Sequence, residues 1–305
     1  MPTKLLEILG RYRPLIEDWE GWLAALENPA PTYARLNTLK GSESEICDLM
    51  SRSGLHLVPT LVPTCYELRD CDHPGHLPMY FQGLFHSQDL TSAVPSWFLN
   101  PAAGEMVLDL CAAPGSKTSH LAQLMENQGL IIANEIQTHR LKSLVANLER
   151  LGVTNAAITR YAGQDFPLRI QFDRILVDAP CSGEGTLRAR EARRYDSAPR
   201  LHERLANVQG RLLVRALKLL RPGGTLIYST CTYAPEENEE VVDGFLRQGG
   251  VQIEEVSCPL PHHPGITTWN DKTYSSEVTK CLRFYPSEVN STGFFIAQFR
   301  KTGDL

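Results

Sequence analysis

The sequence predicts an α/β fold built on an open, mostly parallel sheet of seven strands, preceded by a small α+β unit. Three observations carry this expectation. From about residue 101 short β-rich apolar runs alternate with amphipathic helical stretches, the first run ends in a small-residue loop that opens a helix, and the first hundred residues show a different pattern. A chain of 305 residues has material for one large or two modest domains; the expected division is an N-terminal domain at 1–100 and an α/β domain at 101–305.

Taken in order, the chain opens with a helix that Pro14 interrupts. "TYARLNTLK" (32–40), "SESEICDLMSRSGL" (42–55) and "LHLVPTLV" (55–62) then read as strand, helix, strand, the helix starting on a capping box of Ser42 with Glu45. "MVLDL" (106–110) is the first strand of the large sheet and "LIIAN" (130–134) the second. After it, Leu141, Leu144, Val145, Leu148 and Leu151 recur at helical spacing, with Gly152 as the stop. "AAITR" (156–160), "DRILVD" (173–178), "GTLIYS" (224–229, after the turn Pro222-Gly223-Gly224), "VQIEEV" (251–256) and "GFFIAQF" (293–299) supply the remaining five strands.

Composition excludes several classes. With 42% hydrophobic and 21% charged residues the chain reads as an ordinary globular protein, and no apolar run approaches the roughly 18–20 residues of a membrane span. The N-terminus interleaves charges with apolar residues and lacks the pattern of a secretory signal, so the cytoplasm is the expected compartment and the eight scattered cysteines are expected reduced. Net charge is −5, yet residues 187–221 carry nine Arg and one Lys against three acids. That window is a solvated helix surface or a basic face for phosphates. The acids of "EENEE" (236–240) follow Pro235 and suit the first turn of a helix, where they complement its dipole.

The loop "DLCAAPGSKTSHLAQL" (109–124) lets backbone N–H groups approach a ligand at a helix N-terminus, but it is neither a dinucleotide fingerprint nor a P-loop. Glu135 ends the second strand 26 positions after Asp109, where a carboxylate would take both hydroxyls of a ribose. Together these fit a nucleoside-containing cofactor such as S-adenosylmethionine, with a dinucleotide oxidoreductase as the structural rival. Cys181 follows the fourth strand of the large sheet and Cys231 the fifth, which are normally neighbours, so both thiols face the crevice beyond the carboxyl ends of the strands. No C-x-x-C is present, and Cys65, Cys71, His73 and His76 have untidy spacing in a Pro-rich loop, so no metal is expected. One reaction needs a thiolate, a carboxyl group and a methyl donor together. Carbon 5 of a pyrimidine becomes nucleophilic when a thiolate adds at carbon 6, and Asp178 is placed to assist at ring N3. Elimination afterwards gives a second thiol a use.

The motifs "RLNTLK" (35–40), "GLFHSQDLTS" (83–92), "LDLCAAPGSKT" (108–118), "FDRILVDAPCSGEG" (172–185), "RPGGTLIYSTCTYAPEENEEVV" (221–242) and "STGFFIAQFRK" (291–301) resemble those of the RsmB/NOP/Sun family of RNA (cytosine-5)-methyltransferases. The resemblance implies a class I (Rossmann-like) methyltransferase fold using S-adenosylmethionine and acting on RNA, ribosomal and transfer RNA both being used within the family; ribosomal RNA is the expected substrate of the two, and a monomer without metal is expected. It implies that Cys231 is the nucleophile and that Cys181 helps release the methylated product, the reverse of the assignment in DNA cytosine methyltransferases; spacing alone leaves that choice open. Cofactor contacts transfer to Cys111, Ala112, Ala113, Pro114, Gly115, Ser116 and Lys117, to Glu135, Arg140 and Asp178. After strand three the chain departs from its relatives: Ala162 of "YAGQD" stands where they often carry an acid, and Asp165 is the substitute on offer. The N-terminal unit becomes an RNA-binding module of RNA-recognition-like topology without the aromatic signature for base stacking. The alternative is a non-catalytic RNA-binding or ribosome-assembly factor on the same fold.

Overall fold

The structure, a computed structural model, describes residues 3–188, 195 and 200–303. Helix α1 (Thr3–Leu9), a 3-10 segment (Gly10–Leu15) and α2 (Trp19–Glu27) lead into an antiparallel sheet of β1 (Thr32–Leu36), β2 (His56–Pro59), β3 (Cys65–Arg69) and β4 (Phe85–Ser87), in the order β2-β3-β1-β4. Between its strands lie α3 (Glu43–Arg52), which starts on the expected reciprocal Ser42–Glu45 box, and the single turn α4 (Pro78–Phe81). Ile46 and Met50 of α3 cover Ala34, Leu36, Leu68 and Phe85 on one sheet face.

The large sheet begins after α5 (Leu90–Leu99). It contains β5 (Met106–Asp109), β6 (Leu130–Asn134), β7 (Ala156–Thr159), β8 (Phe172–Asp178) and β9 (Leu220–Thr230), interleaved with α6 (Ser116–Leu124), α7 (Thr138–Leu151) and α8 (Leu201–Leu219). Then come α9 (Glu239–Leu246), β10 (Val251–Glu254), the two-residue strands β11 (His263–Pro264), β12 (Thr268–Trp269) and β13 (Lys272–Thr273), β14 (Leu282–Phe284), α10 (Pro286–Val289) and β15 (Phe294–Lys301). Strands run β7-β6-β5-β8-β9 in parallel, β15 adds antiparallel to β9, and β10 and β14 share the far edge of β15. All seven expected strands are present; β14 and β11 extend the sheet to nine. The expected turn at 222–224 lies inside β9 as an irregularity of the pairing, since Leu220 already pairs with Phe172 before the register resumes at Thr225, and Gly223 takes φ +74° there.

Period-2 alternation explains the layers. Val107, Ile131, Leu176, Ile227 and Ile296 face the core shared with α5 and α6, while Leu108, Ile132, Ile175, Tyr228 and Phe295 face the core shared with α8 and α9. Residues 1–100 divide among three cores. Leu5, Leu9, Tyr12, Trp22 and Leu26 of the helical lead join the α8/α9 side, and Leu90, Val94 and Leu99 of α5 pack on the opposite face of the large sheet. Among the described residues up to 100, only the unit from β1 to β4 has a core of its own.

That unit is fastened to the large domain by its second sheet face, through Tyr33, Val62 and Cys65 against Leu121 and Met125. Arg35 of β1 lies in this junction, fully buried, donating to Gln88 Oε1 (3.0 Å), to Ser119 Oγ of α6 (2.7 Å) and to Gln123 Oε1. Burial pulls its guanidinium down to about 10, so it remains charged at neutral pH. Asn37 adds a second fastening, donating to both Gly83 O and Leu151 O at 2.8 Å. Gly83 has φ +75°, and a Cβ there would meet Arg150 O at 2.0 Å, so only glycine lets the unit approach the end of α7. Arg35→Ala strips three polar groups of their partner and opens a void; the expected cost is about 3 kcal/mol of unfolding free energy. Urea denaturation checks it, and a loss below about 1 kcal/mol would contradict the role of this clamp.

Candidate active site

Parallel strands β8 and β9 end side by side, Asp178 opposite Ser229, so the loops that leave them bring Cys181 and Cys231 together. Their sulfurs are 3.3 Å apart, in contact and unbonded. Either sulfur can donate in this contact; with Cys181 as the donor, the hydrogen bond lowers the pKa of Cys231 and pushes that of Cys181 well above the ordinary thiol value. Both line a cavity of about 480 Å³ that runs along the carboxyl ends of the strands to Glu135 and Arg140.

Buried polar groups fix these loops. Gly185 N–H donates to Cys231 O at 2.9 Å, and a Cβ at Gly185 would meet Gly293 O at 2.3 Å, which accounts for the last glycine of "CSGEG". Glu237 is fully buried; its Oε2 accepts from Ser182 N–H (3.1 Å) and Gln209 Nε2 (2.8 Å), and its Oε1 faces His202 Nδ1 at 2.8 Å. The other ring nitrogen of His202 faces Glu184 Oε1 at 3.4 Å, and Tyr12 OH donates to Glu184 Oε2. Burial works against the imidazolium, but the hydrogen bonds to Glu184 and Glu237 prevail and raise His202 to about 9. Glu239 holds Arg283 through two contacts of 2.6 Å, and Arg283 donates to Tyr233 O at 3.0 Å, two residues after the cysteine. Within "EENEE", Glu237 and Glu239 are therefore buried clamps on the cysteine loops; α9 begins at Glu239, so only Glu239 and Glu240 stand in its first turn, and Glu236 and Glu237 precede it.

At the cofactor loop, Gly115 caps α6 with φ +101° and lies against Leu144 of α7. Cys111 and Ala113 line the large cavity; Ala112, Pro114, Ser116 and Lys117 line a neighbouring one of about 70 Å³ with Asp109 and Asp178. Lys117 Nζ sits 2.8 Å from Asp178 Oδ2, and Ser229 Oγ donates to Asp178 Oδ1 at 2.8 Å. Glu135 is buried, accepts from Gln137 N–H at 2.8 Å and pairs with Arg140 at 3.3 Å; Arg140 also donates to Ala113 O. Asp165 is not in this cavity. The 3-10 turn 163–165 directs it to a separate space of about 200 Å³ beside Arg211, Arg215 and Lys218, while Tyr161, Gly163 and Gln164 line the main cavity.

Glu184, Glu237, His202 and Gln209 are the residues sequence reading misses, along with Asp109. Asp109 is buried with Oδ2 accepting from Thr118 Oγ1 at 2.6 Å and Oδ1 without a partner, and burial pushes it up to about 7. A buried carboxylate with an open oxygen suits a ligand ammonium, and acids at Glu135 and Asp178 suit hydroxyls and amino groups rather than a pyrophosphate. The donor set thus fits S-adenosylmethionine better than a dinucleotide. Cys65 is spent in the junction core, and the described residues contain no group of three or more His, Cys, Asp or Glu fit for a metal; none of their helices is long and apolar enough to cross a membrane.

Comparison with known proteins agrees with the site. The family model described as 16S rRNA methyltransferase RsmB/F matches residues 96–300. The chain is 40% identical over 301 residues to a tRNA (cytosine(49)-C(5))-methyltransferase of Pyrococcus abyssi, covering 97% of this chain and 96% of the relative. It is 38% identical to the ribosomal RNA small subunit methyltransferase F of Shewanella amazonensis over 91% of this chain but 59% of that protein, and 38% identical to a mouse 28S rRNA (cytosine-C(5))-methyltransferase over 98% of this chain but 38% of the relative. Among solved structures, a methyltransferase homologue from Pyrococcus horikoshii superposes with TM-score 0.82 at 33% identity, covering 99% of both chains. NSun6 from the same organism, with a bound S-adenosylmethionine analogue, gives 0.84 at 27% identity and the same coverage. With a class I methyltransferase sheet, paired thiols at the ends of β8 and β9 and these relatives along its whole length, the chain belongs to the RsmB/F family of RNA cytosine-C5 methyltransferases.

Proposed function

We propose that the protein transfers a methyl group from S-adenosylmethionine to carbon 5 of an RNA cytosine through a covalent Cys231 adduct. The observation that carries the reading is the meeting of Cys181 and Cys231 at 3.3 Å in the crevice that Asp178 also lines; Cys231 is taken as the nucleophile of the two on the family resemblance, and a Cys181 S–H turned toward it favours its thiolate. When bound, the cofactor supplies an electrophilic methyl group. Cys231 adds to carbon 6 of the ring, Asp178, held by Lys117 and Ser229, assists at the N3 side, and carbon 5 becomes the nucleophile. In the elimination, the carbon 5 proton passes to solvent in the open crevice, its electron pair forms the carbon 5–carbon 6 double bond, and the carbon 6–sulfur bond breaks, the Cys181 S–H hydrogen bond favouring departure of the Cys231 sulfur as thiolate. Cofactor binding is assigned to Cys111–Lys117, Glu135 and Arg140, with Asp109 added and Asp165 left out.

Transfer RNA is placed ahead of ribosomal RNA, reversing the preference drawn from sequence, on the similarity to the tRNA-directed relative, 40% identical over 301 residues. For the RNA surface we assign α8, whose Val208 and Leu212 line the cavity while Arg211, Arg215 and Lys218 stand beside it. Arg190, Arg193 and Arg194 of the basic window lie outside the described residues. The unit β1–β4 is assigned as an RNA-binding module that uses its loops and edges, since both sheet faces are covered.

Two experiments test this. With tritiated S-adenosylmethionine and transfer RNA, Cys231→Ala is expected to lose at least about 1,000-fold in methyl transfer. Cys181→Ala is expected to accumulate an RNase-sensitive band of retarded protein on a denaturing gel. Retained turnover in Cys231→Ala would overturn the assignment. The second concerns His202. Its folded pKa of about 9 lies above the unfolded value near 6.5, so its stabilisation is complete below pH 6.5 and is lost as pH rises through 9. The difference in melting temperature between wild type and His202→Gln should therefore be largest near pH 6 and shrink toward pH 10; a pH-independent difference would contradict the clamp.

A further inference from the structure

His86, on β4 of the small unit, places its Nε2 2.8 Å from Ser116 Oγ, on the first residue of α6. Its other ring nitrogen, Nδ1, is 3.0 Å from a guanidinium nitrogen of Arg150, on α7. A guanidinium only donates, so Nδ1 must accept and the neutral ring carries its proton on Nε2. Burial, together with the guanidinium groups of Arg35 and Arg150, holds His86 down near 3, which keeps the ring in that neutral form. The Nε2–H group then donates to Ser116 Oγ, and the hydroxyl hydrogen of Ser116 has to point to another acceptor. Arg150 is itself fixed, donating to Tyr80 O at 2.7 Å and Phe85 O at 3.2 Å with its guanidinium 3.8 Å from the centre of the Tyr80 ring.

Ser116 lines the small cavity with Asp109, Lys117 and Asp178, next to the larger one and sharing Cys111, Ala113 and Asp178 with it. At the start of α6 the first-turn N–H groups lack intrahelical acceptors, and negative charge is favoured there. Across the same cavity the buried Oδ1 of Asp109 has no partner and offers an acceptor for a cation. We propose that His86, supplied by the small unit and set in its tautomer by Arg150, fixes the Ser116 hydroxyl as the hydrogen-bond donor to the carboxylate of the cofactor's amino-acid moiety, the ammonium of that moiety going to Asp109. His86 is thus a positioning residue, and the β1–β4 unit completes the methyl-donor site. The inference rests on the cofactor reading above.

The test is calorimetric binding of S-adenosylhomocysteine, which carries the carboxylate, and of 5′-methylthioadenosine, which lacks it. His86→Phe and Ser116→Ala should each weaken S-adenosylhomocysteine about tenfold while leaving 5′-methylthioadenosine within about twofold. The double variant should bind no more weakly than either single one, and His86→Gln, which keeps a donor, should recover most of the affinity. Unchanged S-adenosylhomocysteine binding in Ser116→Ala, or equal losses for both ligands in either variant, would overturn the inference. Ser116→Ala keeps the test decisive if His86→Phe does not fold. Should the wild type bind neither ligand, the cofactor reading falls and this inference with it; wild-type binding with insensitive variants defeats the inference alone.

Discussion

The carboxylate of Glu237 is the point at which the two sulfur-bearing loops meet. One oxygen takes the Ser182 N–H beside Cys181 and the amide of Gln209 on α8, and the other takes His202. Its backbone carbonyl accepts Tyr228 OH at 2.6 Å, from the strand that delivers Cys231. A fully buried carboxylate is costly unless its lone pairs are filled, so this arrangement tolerates little drift in any of the segments it joins. The sulfur contact depends on that rigidity.

The same economy links parts of the chain that look separate in sequence. Tyr12 of the helical lead reaches Glu184 in the Cys181 loop, Arg283 of β14 reaches Glu239 and Tyr233 beyond Cys231, and Arg35 and His86 of the small unit reach α6 at Ser119 and Ser116. Each contact ends on a loop or helix terminus at one end of the large sheet, where backbone groups lack ladder or helix partners and side chains must supply them. Segments outside the parallel sheet therefore act as the outer wall of the site, and the unit β1–β4 has its two sheet faces committed to its own core and to this wall.

Much of the fold is legible in the sequence because its signals are local. The runs at 106–110, 130–134 and 173–178 are apolar on both faces, as strands buried between helix layers must be, and the Ser42–Glu45 box marks α3 by itself. Strands β3 and β4 escape notice because "CYELR" is a short run ending in a Glu and an Arg around one Leu and "FHS" is only three residues long; both are strands by virtue of pairing with β1. At the site, Cys181, Cys231 and Asp178 can be placed from strand ends alone. Glu237 and His202 cannot, since nothing local distinguishes a carboxylate that will be buried from one that will face water. Asp165 shows the converse: the resemblance offers it in place of a family acid, yet it lines a separate space beside Arg211, Arg215 and Lys218.

The identity of the sulfur that bonds to the base is the claim on which the rest turns. A transfer RNA transcript carrying 5-fluorocytidine, incubated with the wild-type protein and S-adenosylmethionine, traps the adduct because fluorine at carbon 5 cannot leave as a proton does. Proteolysis and mass spectrometry then locate the nucleotide. Attachment at Cys231, in the peptide containing "IYSTCTY", is the predicted result; attachment at Cys181 would contradict the account and reverse the roles of the two thiols.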